Sequence, residues 1–168
     1  MRAAYALAEV HSDGVLVEAF IQGFDHRMLV VNGELVAVAK RVPGHVVGDG
    51  EHTIAALVEL VNADPRRGIG HEKMLTRIEL DPQAEGLIAK AGLTAQSVLP
   101  SGQRLYLRST ANLSTGGTAI DQTDVCHADN RKMAIRAAAA VGLAVCGVDF
   151  LTPDIARSWK EVGGGICE

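Results

Sequence analysis

The chain has 168 residues, 48% of them hydrophobic and 21% charged, enough for one domain with a real core or one domain plus a fragment. A formal net charge of −4 and a pI near 5.8 exclude partners held by bulk positive charge, so neither nucleic acid nor an anionic membrane surface is expected. With 4% aromatic residues there is no base-stacking platform, and no stretch approaches a membrane span.

Arg2 to Val10 is Ala-rich and reads as the tail of a helix, ended by a turn at Gly14. No apolar signal core precedes the polar Glu9–Asp13 stretch. Val15 to Phe20 reads as a buried strand. Asp25 to Val31 and Glu34 to Arg41 read as a hairpin joined by Asn32-Gly33, the strongest short hairpin signal. A Pro/Gly loop follows over Pro43–Gly50. Thr53 can cap a helix to about Asn62, with Ile54, Leu57, Val58 and Val61 on one face. Asp64 to His71 is a basic, Gly-bounded loop.

Pro82 to Ala91 is a second helix, entered through an N1 proline. Arg104 to Arg108 reads as a strand, Ser109 to Asp124 as a long polar loop, and Asp129 to Val141 as a helix stopped by Gly142. Two apolar runs finish the chain, Ala144–Thr152 and Glu161–Glu168, each carrying an acid. Mixed helices and strands with an antiparallel hairpin give an α+β fold. The three cysteines, Cys126, Cys146 and Cys167, lack zinc spacing and are expected as reduced core residues of a cytoplasmic protein.

Four constellations can carry chemistry. Glu18-Ala-Phe-Ile21 with Asp25 offers a strand end able to read an adenine edge and an acid able to accept from ribose hydroxyls; the plain alternative is a strand, a turn and another strand. Arg108 precedes Asn112-Leu-Ser114-Thr115-Gly116-Gly117, whose amides and hydroxyls suit a carboxylate or phosphoryl oxygen; the alternative is an ordinary loop. Asp149 and Glu168 sit in the two terminal runs, and a pair of acids beside an anion loop suits magnesium; the alternative is two exposed strand ends whose acids are merely solvated. The glycines of His45–Gly50 and the cations of Arg66–His71 can form a lid over anions, or simply solvated loops. No phosphate-binding P-loop, dinucleotide fingerprint or nucleophile elbow is present.

The motifs Val46-Val-Gly-Asp-Gly-Glu-His-Thr-Ile54, Asp64-Pro-Arg-Arg-Gly-Ile-Gly-His-Glu-Lys73 and Asn112-Leu-Ser-Thr-Gly-Gly117, with Gly147-Val-Asp149 and Gly163-Gly-Gly-Ile-Cys-Glu168, carry a resemblance. In this order they resemble the ATP-grasp domain of the cyanophycin synthetase family, over essentially the whole chain. The resemblance implies residues 1–168 of a partial ATP-grasp domain, the C-terminal subdomain with a mostly antiparallel sheet flanked by helices. Its N-terminal part and the segment after Glu168 are then missing. It implies an ATP-dependent ligase that activates the C-terminal carboxylate of a poly-aspartate (cyanophycin) primer as an acyl phosphate and joins aspartate to it, using ATP and Mg2+.

By resemblance, Glu18, Ala19, Phe20 and Ile21 are the adenine hinge and Asp25 the ribose acceptor. Arg41 and His71 are phosphate-side residues, and Arg108 is the cation near the transferred phosphoryl. Asn112, Ser114, Thr115, Gly116 and Gly117 form the substrate loop, and Asp149 and Glu168 are magnesium ligands. The resemblance also implies a homo-oligomer, and the isolated chain is expected to bind nucleotide weakly without turnover. Two alternatives stay open: another ATP-grasp peptide ligase of the glutathione-synthesising type, or a non-catalytic remnant that only binds nucleotide or self-associates.

Overall fold

A computed structural model describes residues 2–12, 14–70 and 72–168, the side chains at 2–4 and 7 aside. After a first helix, α1 (Arg2–Glu9), the chain reaches the expected hairpin of β1 (Phe24–Val31) and β2 (Glu34–Val42). Asn32 at φ 49° and Gly33 at φ 81° put both turn residues in the left-handed region, which asparagine and glycine accept and other residues resist. The pairing jumps from Leu29↔Ala37 to Val30↔Leu35, so Val36 is the extra residue of a β-bulge.

A small lobe comes next: β3 (His45–Val47), α2 (Ile54–Asn62), β4 (Arg67–Gly68), β5 (Leu75–Thr76), α3 (Pro82–Lys90) and β6 (Arg104–Tyr106). Both helices start where local chemistry says they should. Thr53 Oγ1 accepts the Ala56 amide at 3.2 Å, and Asp81 Oδ1 accepts the Ala84 amide at 3.0 Å just before Pro82. The face predicted for α2 is the one that packs, with Ile54, Leu57 and Val58 joining Ile88, Leu99 and Leu107 in one apolar cluster.

The chain then returns to the hairpin through β7 (Thr118–Asp121), α4 (Ala128–Val141), β8 (Val145–Thr152), α5 (Trp159–Val162) and β9 (Gly165–Ile166). These strands complete a five-stranded sheet in the order β7-β2-β1-β8-β9, antiparallel at every step. Helix α4 covers one face. Ala134 and Ala138, one turn apart, let it settle closely on Met28, Val30, Val38, Val148 and Phe150. Full burial of a side chain such as Phe150 is worth about 1.5–3 kcal/mol. Gly142 at φ 76° ends α4, its amide returning to the Ala138 and Ala139 carbonyls.

Five expectations are corrected. The run Val15–Phe20 is extended but pairs with no strand, and Leu16 and Phe20 are exposed. β1 already has β2 and β8 on its two sides, so the run has no edge to join there. The loop Ser109–Asp124 contains β7, which pairs with β2 at Ala39↔Asp121 through Val42↔Thr118. In the last run Glu161 and Val162 belong to α5, capped by Ser158, and the strand is only Gly165–Ile166. Residues 45–47 are not lid: they pair with β6, and a Cβ on Gly48 would lie 2.3 Å from the Pro100 carbonyl oxygen. Of the cysteines Cys126 is buried, Cys146 half-buried and Cys167 exposed, so the last is no core residue.

Candidate functional site

Alternation along β1 sends His26, Met28 and Val30 under α4 and leaves Asp25 and Arg27 on the opposite, open face. Strand register supplies their partners. Arg41 lies opposite Asp25, and Asp149 lies opposite Arg27. Arg41 Nη2 donates to both Asp25 oxygens at 2.7 and 2.8 Å and to Asp149 Oδ2 at 2.7 Å, while its Nε donates to Asp25 Oδ1 at 3.0 Å. Arg27 Nε donates to Asp149 Oδ1, and its Nη2 to Oδ2 at 2.9 Å.

The Asp149 side chain is 5% exposed, and a carboxylate buried to that degree persists only when paired. Here two guanidinium groups pair it. Burial works against the charge of Arg41, but the Asp25 and Asp149 carboxylates outweigh it and hold the pKa above the ordinary arginine value. Gly147 belongs to the same arrangement, because a Cβ there would come within 2.9 Å of Arg27 Cδ.

Glu168 reaches this cluster through the backbone. Asp149 N–H donates to the Glu168 carbonyl and Cys167 N–H to the Asp149 carbonyl, each at 2.9 Å, so two residues oppose one as in a β-bulge. The Glu168 side chain is exposed. Cys167 Sγ sits 3.4 Å from the Asp149 carbonyl oxygen, and burial, then the Asp149 and Asp25 charges, push its thiol pKa up. Among the described residues no three histidine, cysteine or acidic side chains gather as a ready cation cage. Two carboxylates still fit magnesium, which takes one or two and completes its shell with substrate phosphates and water.

Two cavities open onto Arg41. One, about 590 Å³, is bordered by Phe20, Ile21, Asp25, Arg108 and Asn112; the other, about 460 Å³, by Arg27, Asn112 and Ser114. Glu18 and Ala19 are exposed and border neither cavity. Ile21 lies against β9, where a Cβ on Gly165 would meet its Cδ1 at 2.3 Å.

Arg108 is buried and faces inward as well as toward the first cavity. Its guanidinium holds the Asp81 carboxylate at 3.0 and 3.1 Å and the Leu107 and Glu79 carbonyls, bracing the N-cap of α3. The amides expected to cradle an anion are spent inside their own loop. Those of Thr115 and Gly117 donate to the Asn112 carbonyl and that of Gly116 to the Leu113 carbonyl. The glycines serve close packing: Gly116 has φ 93°, and a Cβ on Gly117 would lie 2.8 Å from the Val42 carbonyl oxygen. Ser114 remains exposed at the second cavity, and His71 lies outside the described residues.

Arg27 escaped the sequence reading, though its place two residues after Asp25 in an alternating strand marks it for the same face. Arg67, grouped above with the cations of the Arg66–His71 loop, is buried and bonded to the Thr76 and Gly116 carbonyls at 2.6 and 3.0 Å, its pKa lowered by burial. It ties its segment to the glycine loop instead of supplying a lid cation, while Arg66 is exposed and paired with Asp64.

No protein-family model matches the chain. It is 52% identical over 167 residues to the cyanophycin synthetase of Crocosphaera subtropica, spanning 98% of this chain and 19% of that protein. It is 38% identical over 165 residues to the glutathione biosynthesis bifunctional protein GshAB of Clostridium perfringens, spanning 98% of this chain and 21% of that protein. Among solved structures, a bifunctional glutathione synthetase from Pasteurella multocida superposes with a TM-score of 0.73 at 38% identity, over 83% of this chain and 19% of that one. The chain thus spans about a fifth of the length of the curated relatives it matches. Its fold is the ATP-grasp fold in its antiparallel α+β part, and in sequence the chain is similar to cyanophycin synthetase over nearly all of its length.

Proposed function

We propose that the chain is the phosphate and metal side of an ATP-dependent carboxylate–amine ligase. ATP phosphorylates the C-terminal carboxylate of a poly-aspartate chain, and the amine of an incoming aspartate displaces phosphate to form a peptide bond. The observation that carries this reading is the paired cluster Asp25–Arg41–Asp149–Arg27, open to solvent on one face of the sheet where two cavities meet. The 52% identity to a cyanophycin synthetase supports poly-aspartate as the acceptor.

A carboxylate is a poor electrophile until phosphorylation gives it a leaving group, so the protein's work is alignment and charge neutralisation. Arg41, a fixed fork, takes phosphoryl oxygens, a role that the resemblance also gives to His71. Asp25 accepts from the ribose hydroxyls, and the backbone of Glu18–Ile21 meets the adenine edge. Arg108 faces the transferred phosphoryl, and Asn112 with Ser114–Gly117 holds the acceptor's end, chiefly through side chains, since the amides there are internally bonded. Asp149 and Glu168 are the residues that would hold Mg2+, which when bound would neutralise charge developing on the phosphates.

Calorimetric titration with Mg2+ and a non-hydrolysable ATP analogue tests the reading. Asp149→Asn is expected to weaken binding at least tenfold, and Asp121→Asn, exposed on the edge strand, to leave it unchanged. Equal binding by both variants would refute it. Because the chain spans a fifth of its relatives, binding without phosphate release is the outcome expected of it alone. The 38% identity to glutathione-synthesising proteins supports a second reading, in which a γ-glutamyl dipeptide replaces poly-aspartate. Whichever of the two acceptors shifts the amide signals of residues 112–117 decides between them.

A further inference from the structure

Arg27 has no place in the ligand-holding set, yet it covers the carboxylate on which that set depends. The two arginines on Asp149 are held differently. Arg41 is 14% exposed and anchored on Asp25 as well as Asp149. Arg27 is 46% exposed, has Asp149 as its acidic partner among the described residues, and borders the smaller cavity. Its guanidinium is the one with room to leave.

The charges of Asp25, Arg27, Arg41 and Asp149 sum to zero, so the cluster is balanced before any ligand arrives. A divalent cation approaching it alone finds both Asp149 oxygens already accepting from guanidinium groups, and two positive charges beside them. Phosphates change that balance. They are strong bidentate acceptors for a guanidinium fork and bring the negative charge that lets arginine and cation share the site.

Building on the ligase reading above, we propose that Arg27 is the gate of the metal site. It holds the Asp149 carboxylate closed to a divalent cation until nucleotide phosphates draw the guanidinium away, so that metal and nucleotide enter together. Arg27 is in this sense a positioning residue: it acts through Asp149. Gly147 supports the closed position, since a side chain there would press on Arg27 Cδ at 2.9 Å.

The test is a titration of Mn2+ alone, without nucleotide, followed by the electron paramagnetic resonance signal of free Mn2+. Arg27→Gln is expected to tighten Mn2+ binding about tenfold, the effect of removing one unit charge a few ångström from a divalent ion in a water-like dielectric. Gly147→Ala, which displaces the arginine without deleting its charge, is expected to give a smaller gain in the same direction. Arg136→Gln, the same charge change on the exposed side of α4, is expected to give none. Adding Asp149→Asn to Arg27→Gln should cancel the gain, and saturating ADP should close the gap between native and Arg27→Gln. Equal Mn2+ affinity in native and Arg27→Gln, with Asp149→Asn weakening both, would overturn the gate and leave the metal reading standing. Mn2+ uptake that ignores Asp149 in every variant would overturn both.

Discussion

The two faces of the five-stranded sheet are made by the same strands and have opposite chemistry. Beneath α4, Met28, Val30, Val148 and Phe150 form a dry core; one residue along each strand, Asp25, Arg27 and Asp149 face outward as a charged network. The difference shows how little sequence separates stability from function in a strand. A period of two lets β1 place one set of side chains for packing and the interleaved set for binding. The core face then fixes the register that brings Arg27 onto Asp149 and Arg41 onto Asp25.

That contrast predicts where substitutions act. The largest loss of stability belongs to the core face. Phe150→Ala, at a fully buried position, should cost about 3–5 kcal/mol in urea unfolding. On the open face, Arg41→Gln should cost about 2 kcal/mol, less than a deeply buried pair because Asp25 is partly solvated, but it should remove nucleotide binding. A fold that survives Arg41→Gln with binding intact would erase the distinction between the faces.

A pH effect sharpens the comparison from the core side. His26 is 1% exposed, its Nε2 shares a hydrogen bond with Gln122 and its Nδ1 has no hydrogen-bond partner among the described residues. Burial holds its pKa below the ordinary 6.5, against the smaller raising effect of Gln122. The unfolded chain therefore takes up the proton first. Stability is present in full above about pH 6.5 and falls as pH drops below it, by at most about 1.4 kcal/mol per unit. His26→Gln should flatten that fall, read from unfolding midpoints between pH 7 and 5. The smallest effect belongs to Glu168→Gln. With its side chain exposed, it should leave stability within about 0.5 kcal/mol while weakening Mn2+ binding in the presence of ADP.

What the sequence disclosed was local. Asn32-Gly33, the Thr53 cap, Pro82 at a helix start and Gly142 at a helix end each act within a few residues, and each element formed where those signals lay. The candidate site was legible in its residue types, because Asp25, Arg41 and Asp149 do converge. Its wiring was not. Arg27 meets Asp149 across 122 residues of chain, and Arg108 meets Asp81 across 27, distances over which only register and lobe packing decide the partner. Val15–Phe20 failed for the converse reason: its composition suits a strand, but a strand exists only where an edge is free to pair. Which groups of the glycine loop are free was not legible either, because sequence shows that glycines are present and not which carbonyls their amides already serve.

An amide proton–nitrogen correlation titration of the uniformly 15N-labelled chain with Mg-ADP tests most directly whether the charged face of the sheet takes nucleotide and metal. Shifts are expected to concentrate at Asp25, Arg27, Arg41, residues 109–114 and Asp149, with α4 silent. Shifts centred on α4, or none at saturating Mg-ADP, would contradict that assignment of the face.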